Sequence, residues 1–298
     1  MQFPKKHHPG TAIGYGFLAL LAIAGLNYQT ILDEYALESY QPTPQVVSFE
    51  SRVDLTRAAR ATLYRSAPQF DDKSTFNTDC DTQPHELELG CYYRSRIYVL
   101  KIDNASLAPE MDVVAAHELL HAVWAKMDSS ERTKLTTELE RVYAGITDKD
   151  LHDRMAGYAK TEPGEEANEL HSILGTEFSQ TSPLLEEHYA KYFTNRGAIV
   201  AEHESYQAVF ESRRAELEKE LASIRNEKAQ LSIINRQLET YRAEGQIATY
   251  NSLVPKQNQL VDDINSRIAT YRTGVDEYNA LSKSLDSQEI TDTETTAQ

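Results

Sequence analysis

The hydrophobic and polar positions of the chain follow a different pattern in each of three stretches. Near the N-terminus, an apolar run extends from Ala12 to Leu26, behind a short segment that contains Lys5 and Lys6. A run of this length behind basic residues is typical of a membrane-spanning helix or of a cleavable signal segment. We therefore expect residues 11–32 to be a membrane anchor or signal segment and residues 1–10 to be its basic cytoplasmic end.

The middle of the chain combines one extended stretch with several helical ones. Residues 33–50 contain two prolines and few periodic apolar positions, which favours a stalk. Arg96 to Ile102 is rich in β-branched and aromatic residues and predicts a strand, and a helical pattern begins at Glu110. Further helices are expected at residues 53–66, 130–144, 149–159, 164–179 and 184–194. A small sheet followed by helices predicts an α+β domain over residues 51–198.

The last third of the chain has a seven-residue period. Its first apolar seam consists of Phe210, Leu217, Ile224, Leu231 and Leu238. Gly245 interrupts this pattern, and a second heptad set starts at Tyr250. Because proline is favoured in the first turn of a helix, Pro255 predicts that the second regular helix begins there. Two heptad helices with a short break predict an α-helical coiled-coil hairpin over residues 199–285, the alternative being two solvated surface helices. Residues 286–298 predict a disordered tail.

The charge of the chain narrows the class of partner. Lys and Arg number 30 and Asp and Glu number 46, so the formal charge is −16. This balance argues against nucleic acid as a partner, because neutralising phosphates requires a basic face. It does not conflict with a local apolar anchor. Because Lys5 and Lys6 precede that segment, we expect a single-pass cell-membrane protein with its body outside the cytoplasm, or a secreted protein if the segment is cleaved.

The two cysteines, Cys80 and Cys91, lie on either side of a polar stretch. Two cysteines exclude a disulfide-rich miniature protein and a four-cysteine zinc module. In an exported chain they predict a disulfide that closes a short loop, whereas two free buried thiols are the alternative.

The strongest chemical signal is His117-Glu118-Leu119-Leu120-His121. Two histidines four residues apart lie on one face of a helix, one turn apart, and can bind one Zn²⁺. Glu118, next to the first histidine, can act as a general base. The motif lies in an apolar helical pattern, and the predicted strand Arg96–Ile102 precedes it where a zinc peptidase keeps the edge strand that aligns substrate.

A catalytic zinc ion needs a third protein ligand and one open position. Trp124 and Met127 stand where an HExxHxxGxxH pattern would have its glycine and third histidine, so this ligand must come from a later segment. The segment 165–178 is rich in suitable side chains, and helix geometry alone leaves several open. The candidates are Glu165, Glu166, Glu169, His171 and Glu177.

The HELLH sequence, followed by a separate helix that carries a glutamate, resembles the gluzincin metallopeptidases of the zincin superfamily. Asn168-Glu169-Leu170-His171-Ser172 is similar to the Asn-Glu-x-x-Ser pattern that supplies the third ligand in thermolysin-like members. The resemblance implies a zincin-like domain with Glu169 as the ligand. Ile173 departs from it, because it stands where those enzymes keep an Asp that orients a ligating histidine. Ile97 to Arg196 also resembles an uncharacterised family of bacterial envelope proteins.

Gluzincins also use a histidine or tyrosine to stabilise the oxyanion of the transition state. Four residues are candidates for this role in the chain: His171, His188, Tyr189 and Tyr158. His171 is two residues from Glu169 and should therefore face away from the metal.

Two functional hypotheses follow from these residues. The first is a membrane-anchored extracytoplasmic zinc metallopeptidase that hydrolyses peptide or protein substrates. His117, His121 and Glu169 would hold Zn²⁺, and Glu118 would be the general base. The second is a non-enzymatic envelope adaptor, in which zinc stabilises the fold and the hairpin at 199–285 binds a protein partner.

Overall fold

The computed structural model describes residues 28–80 and 89–285. The basic end at 1–10, most of the predicted membrane segment at 11–32 and the predicted tail at 286–298 lie outside these ranges. Within the described ranges, no helix is both long enough and apolar enough to cross a membrane.

The described residues form an α+β structure with eleven helices and a three-stranded sheet. The helices are α1 (Tyr28–Ser39), α2 (Pro44–Val53), α3 (Arg57–Arg65), α4 (Lys73–Asp79), α5 (Glu110–Lys126), α6 (Ser129–Tyr143), α7 (Lys149–Thr161), α8 (Glu166–Thr176), α9 (Pro183–Tyr189), α10 (Arg196–Ala243) and α11 (Ile247–Leu285). The strands are β1 (Gln69–Asp71), β2 (Gly90–Tyr93) and β3 (Arg96–Leu100).

The predicted strand is present as β3, but it is the central strand of the sheet. β1 pairs with it in parallel and β2 pairs with it antiparallel, in the order β1-β3-β2. Four consecutive residues, Ile97 to Leu100, are buried, which is the pattern of a strand covered on both faces. The expectation that Arg96–Ile102 would be an edge strand is therefore wrong; β2, which the sequence did not predict, lies at that edge.

Helix α5 runs through the centre of the body and packs against α8, α3, α2, β3 and the start of α10. Apolar residues occupy most of its circumference, which is the pattern of a buried helix. Glu110 and Asp112 lie in its first turn and Lys126 in its last, so these charges complement the helix dipole. A buried helix of this kind holds its side chains in fixed positions for the site described below.

Residues 33–50 do not form the stalk that the prolines suggested. They belong to α1 and α2, and the side chain of Thr43 caps α2 by accepting a hydrogen bond from the backbone of Val46. Pro44 opens α2, where a missing N–H has no helical partner to lose. Val46 and Phe49 are 0% and 1% exposed and pack into the body, which anchors the segment there.

The predicted disulfide is confirmed: Cys80 and Cys91 are bonded. Cys80 caps the end of α4 and Cys91 lies in β2, so the bond fixes the edge strand to a helix. Phe76, Tyr98 and Leu100 pack around Cys80 and form a small apolar cluster on that side of the sheet.

Helices α10 and α11 lie side by side over most of their length. Arg213 contacts Glu277 at one end and Gln257 donates to Asn235 towards the other, so the two helices are antiparallel. Helix α11 starts at Ile247, and the expectation of a start at Pro255 is wrong. A proline inside a helix removes one backbone hydrogen bond. Helix α11 nevertheless continues through Pro255, and Gln257, two residues later, donates to Asn235 of α10.

Candidate metal centre

The predicted ligands lie on two helices that pack against each other. Helix α5 carries His117 and His121 one turn apart, and α8 places Glu169 opposite them. His121 Nε2 is 3.4 Å from Glu169 Oε1, and His117 Nε2 is 3.7 Å from Glu169 Oε2. The three ligand atoms all lie within 4.8 Å of one another.

These separations suit one small metal ion. In a tetrahedral site with metal–ligand bonds of about 2.0–2.2 Å, neighbouring ligand atoms are about 3.3–3.6 Å apart. Among the residues that the structure describes, these three side chains form the one group of three or more histidine, cysteine or carboxylate side chains that lie closely enough together to hold a metal ion. Two imidazoles and one carboxylate form a donor set that occurs in catalytic zinc sites and in non-haem iron sites.

A glycine allows the two ligand-bearing helices to approach closely. A Cβ atom on Gly175 of α8 would collide with Leu120 of α5 and would lie 2.9 Å from Cε1 of Tyr189. Leu120 and Tyr189 are both fully buried, so neither side chain can move aside into solvent. The absence of a side chain at Gly175 therefore sets the distance between α5 and α8, and with it the distance between the ligands.

The charge of Glu169 is maintained despite its burial. Burial alone would raise the pKa of this carboxyl, but His121, His117 and a hydrogen bond from Tyr158 outweigh burial and lower the pKa. Glu169 therefore stays ionised at neutral pH, which is the state that a metal ligand requires.

The group that orients His121 is Asn168, one residue before the glutamate ligand. Asn168 Nδ2 donates to Glu165 Oε2 at 3.1 Å, so its Oδ1 faces His121 Nδ1 at 3.0 Å. Nδ1 must then carry the proton, and the lone pair of Nε2 is directed towards Glu169. Ser172 Oγ is a second neighbour of Nδ1 at 3.3 Å. These contacts fill the orienting role that Ile173, buried in the core, does not perform.

The other proposed third ligands make contacts elsewhere. Glu166 accepts a hydrogen bond from the backbone of Gly164. Glu177, at the C-terminal end of α8, pairs with Arg154 and lies 3.5 Å from His203 Nε2. His171 faces away from the metal cluster, as its angular position predicted, and its Nε2 is 2.9 Å from Nε2 of His188.

Of the four candidates for stabilising an oxyanion, the structure places Tyr158 beside the ligands. Tyr158 lines the same cleft as Glu118, and burial raises its pKa, with Glu169 adding to the effect. Its hydroxyl is therefore protonated at neutral pH and able to donate. Burial lowers the pKa of His188 to about 4 and lowers that of His171 as well, so these two paired rings are neutral. Tyr189 donates to the backbone oxygen of His171.

A cleft of about 500 Å³ opens beside the three ligands. Edge strand β2 forms one wall through Gly90, Cys91 and Tyr92, and Glu118 lies against it. A Cβ atom on Gly90 would collide with Val114 and would lie 2.8 Å from Glu118 Oε1. The strand backbone therefore reaches the carboxylate of Glu118 only because residue 90 is a glycine. No local pattern in the sequence indicates this contact, because it depends on how β2 folds against α5.

Comparison of the chain with protein-family models, with curated proteins and with solved structures found no match. The gluzincin resemblance of the two short motifs therefore stays a prediction.

Proposed function

We propose that the protein is a membrane-anchored extracytoplasmic zinc metallopeptidase. The observation that carries the proposal is the convergence of His117, His121 and Glu169 at the wall of a cleft that also contains Glu118. Because the ligands open onto this cleft, a metal ion there would have a position for water or substrate, which is the arrangement of a catalytic site. When bound, zinc supplies Lewis-acid chemistry that activates water and polarises a carbonyl.

The residues of the cleft have complementary roles in this proposal. Glu118 accepts the proton of the attacking water and passes it to the leaving amine. Tyr158 turns its hydroxyl from Glu169, to which it donates in the structure, to the oxygen that becomes negative in the transition state. Among the strands that the structure describes, edge strand β2 pairs only with β3, so its other side can pair with an extended peptide.

Metal content and peptide hydrolysis test the proposal together. We expect about one zinc ion per chain in the full-length protein, and no zinc in His121→Ala or Glu169→Ala. Glu118→Gln should keep the metal and lose about 100- to 10,000-fold in the hydrolysis of fluorescent casein, because it removes the general base. The matched control is Glu166→Gln, on the same helix as Glu169, which should keep both zinc and activity.

A different outcome of this experiment distinguishes the alternative function. Full zinc content without hydrolysis in the wild-type protein would favour an envelope adaptor whose metal stabilises the fold. Hydrolysis that survives in Glu118→Gln would show that the general base is another residue. A reporter fused after residue 285 and accessible to external protease in spheroplasts would support the extracytoplasmic location, which Lys5 and Lys6 suggest.

A further inference from the structure

The cleft contains an arginine that neither metal binding nor the proposed proton transfers use. Among the described residues that line the cleft, Arg132 is the only arginine or lysine. It lies in the first turns of α6, just after the end of α5. A permanent positive charge in a peptidase cleft acts directly on which substrates bind there.

Two contacts with α5 hold the side chain of Arg132 in the cleft wall. Its Nη2 donates to the backbone oxygen of Ala125 at 3.0 Å, and its Cζ is 6.0 Å from the centre of the Trp124 ring. Trp124 follows His121 by three residues on the same helix, so the guanidinium lies against a ring that is about one turn from a metal ligand. Its position is therefore coupled to the site rather than to the outer surface of α6.

One donor of this guanidinium has no acceptor within the described residues. Arg132 Nε is buried and makes no hydrogen bond. Buried polar groups nearly always have a partner, so the cleft wall leaves the hydrogen bonding of this guanidinium incomplete. The flat fork of donors on an arginine matches the two oxygens of a carboxylate.

We propose that Arg132 binds a carboxylate of the substrate, so that the cleft selects peptides with an acidic side chain or a free C-terminus close to the scissile bond. This inference rests on the proposed peptidase function. Glu162 and Glu165 also line the cleft, and Glu165 is held by Asn168 Nδ2 at 3.1 Å. Because carboxylates repel one another, we expect the cleft to recognise a substrate carboxylate only at the position next to Arg132, and not along its whole length.

Paired peptide substrates test this assignment. The probes are internally quenched peptides with Glu or Gln at one fixed position, scanned across the scissile bond, each with a free or an amidated C-terminus. We expect one pair to favour the carboxylate member, through a lower KM. Arg132→Gln should reduce kcat/KM for that member about 10- to 100-fold and change the amide member little. Arg132→Lys should retain part of the preference, because it keeps the charge but not the fork.

The matched control is Arg141→Gln, on the same helix, where the arginine is exposed and pairs with Glu138. It should leave the carboxylate preference unchanged. If Arg132→Gln weakens both members of each pair equally, the arginine acts only through the packing of Trp124 and the proposal is wrong. A wild-type preference for Lys over Glu at every position would also overturn it.

A binding measurement separates this proposal from the proposed function. The same peptides, labelled with fluorescein, are titrated with Glu118→Gln and with the double variant Glu118→Gln/Arg132→Gln, and anisotropy reports binding. Carboxylate-selective binding that is lost in the double variant supports Arg132 even if the wild-type protein hydrolyses none of the peptides. Hydrolysis without carboxylate selectivity would retain the peptidase and reject the role of Arg132. The free and amidated arms show whether the carboxylate is a side chain or a C-terminus.

Discussion

The helices around the metal centre and the helices of the hairpin are held together in different ways. Helices α5 and α8 meet through fully buried residues, with Gly175 against Leu120 at the closest approach. Helices α10 and α11 bury few side chains along their length, and exposed ion pairs such as Arg267 with Glu220 connect them. The first contact depends on a few specific buried residues, whereas the second repeats one heptad pattern.

This difference decides where the protein can tolerate change. Metal ligands must lie within a few tenths of an ångström of their required positions, and only a close-packed interior holds side chains that tightly. A heptad seam tolerates a local adjustment, because each layer contributes a small and similar share of the packing. We therefore expect substitutions near α5 and α8 to affect the site, and equivalent ones in the hairpin to have small effects.

The two regions meet at His203, close to the start of α10. Its Nδ1 is 3.3 Å from Glu110 Oε1 on α5, and its Nε2 is 3.5 Å from Glu177 Oε2 at the end of α8. Burial alone would lower the pKa of His203, but the two carboxylates raise it overall. Burial raises the pKa of Glu110. Burial would also raise the pKa of Glu177, but Arg154 and His203 outweigh burial and lower it. The hairpin is thus joined to both ligand-bearing helices through a buried charge network.

The largest expected effect comes from breaking this junction. His203→Gln leaves two carboxylates buried without the cation between them, and we expect a loss of about 3 kcal/mol in the free energy of unfolding. The pKa of His203 in the folded state is raised above its ordinary value of 6.5. The stabilisation that the charged imidazole provides is therefore fully present below pH 6.5 and is lost as the pH rises through the folded-state pKa. The difference in stability between wild type and variant should therefore shrink above about pH 6.5.

Denaturant unfolding of the metal-free proteins from pH 6 to pH 9 measures this difference. Metal binding depends on pH through its ligands, so removing the metal leaves the junction as the main variable. A difference that stays constant over this range would mean that His203 contributes packing and not charge.

The next largest effect is expected from a pair of matched glycine substitutions. Gly175→Ala forces α5 and α8 apart and should cost about 1–3 kcal/mol of stability, with weaker zinc binding. Gly274→Ala, in α11, brings its Cβ atom to 2.9 Å from the flexible end of Leu217. There, the gain of about 1 kcal/mol in helix propensity offsets the contact, so stability should change little.

Thermal unfolding and zinc titration of both variants check the comparison. Gly157→Ala is the control for helix propensity alone, because a Cβ atom there would have no neighbour within 4 Å. It should stabilise the protein slightly and leave zinc affinity unchanged. Equal losses in Gly175→Ala and Gly274→Ala would show that the hairpin is packed as tightly as the body.

The sequence predicted the parts of the site that short local patterns encode. HELLH fixes His117 and His121 on one helical face, and the resemblance of Asn168–Ser172 to the Asn-Glu-x-x-Ser pattern of gluzincins implies Glu169 as the third ligand. The orienting contact of Asn168 could also have been suspected from its place in that pattern. The three side chains lie together in the structure. For the two histidines this follows because a helix converts residue spacing directly into a shared face, and the role of all three as metal ligands stays a prediction.

The parts that were missed depend on contacts across the fold. Strand β2 has four residues, all half-buried, so it lacks the alternation that reveals a strand. Pro44 favours a stalk in the sequence, but a proline also fits the first position of a helix, which is where the structure has it. Nothing in the sequence distinguishes Arg132 from other arginines, because its significance arises from the position of Trp124 and the cleft.

The smallest effect is expected in the hairpin. Arg267 contacts Glu220 at 3.0 Å and Glu227 at 2.8 Å, and its side chain is 41% exposed. Water and salt screen such pairs, and holding long side chains in place has an entropic cost. Arg267→Gln should therefore lower the melting temperature less than His203→Gln or Gly175→Ala does, and any drop should disappear at 1 M salt. The zinc affinity should not change. A large drop in melting temperature that persists at high salt would mean that these ion pairs hold the hairpin together. The hairpin and the metal-centre helices would then differ less in how they are stabilised than the burial of their residues indicates.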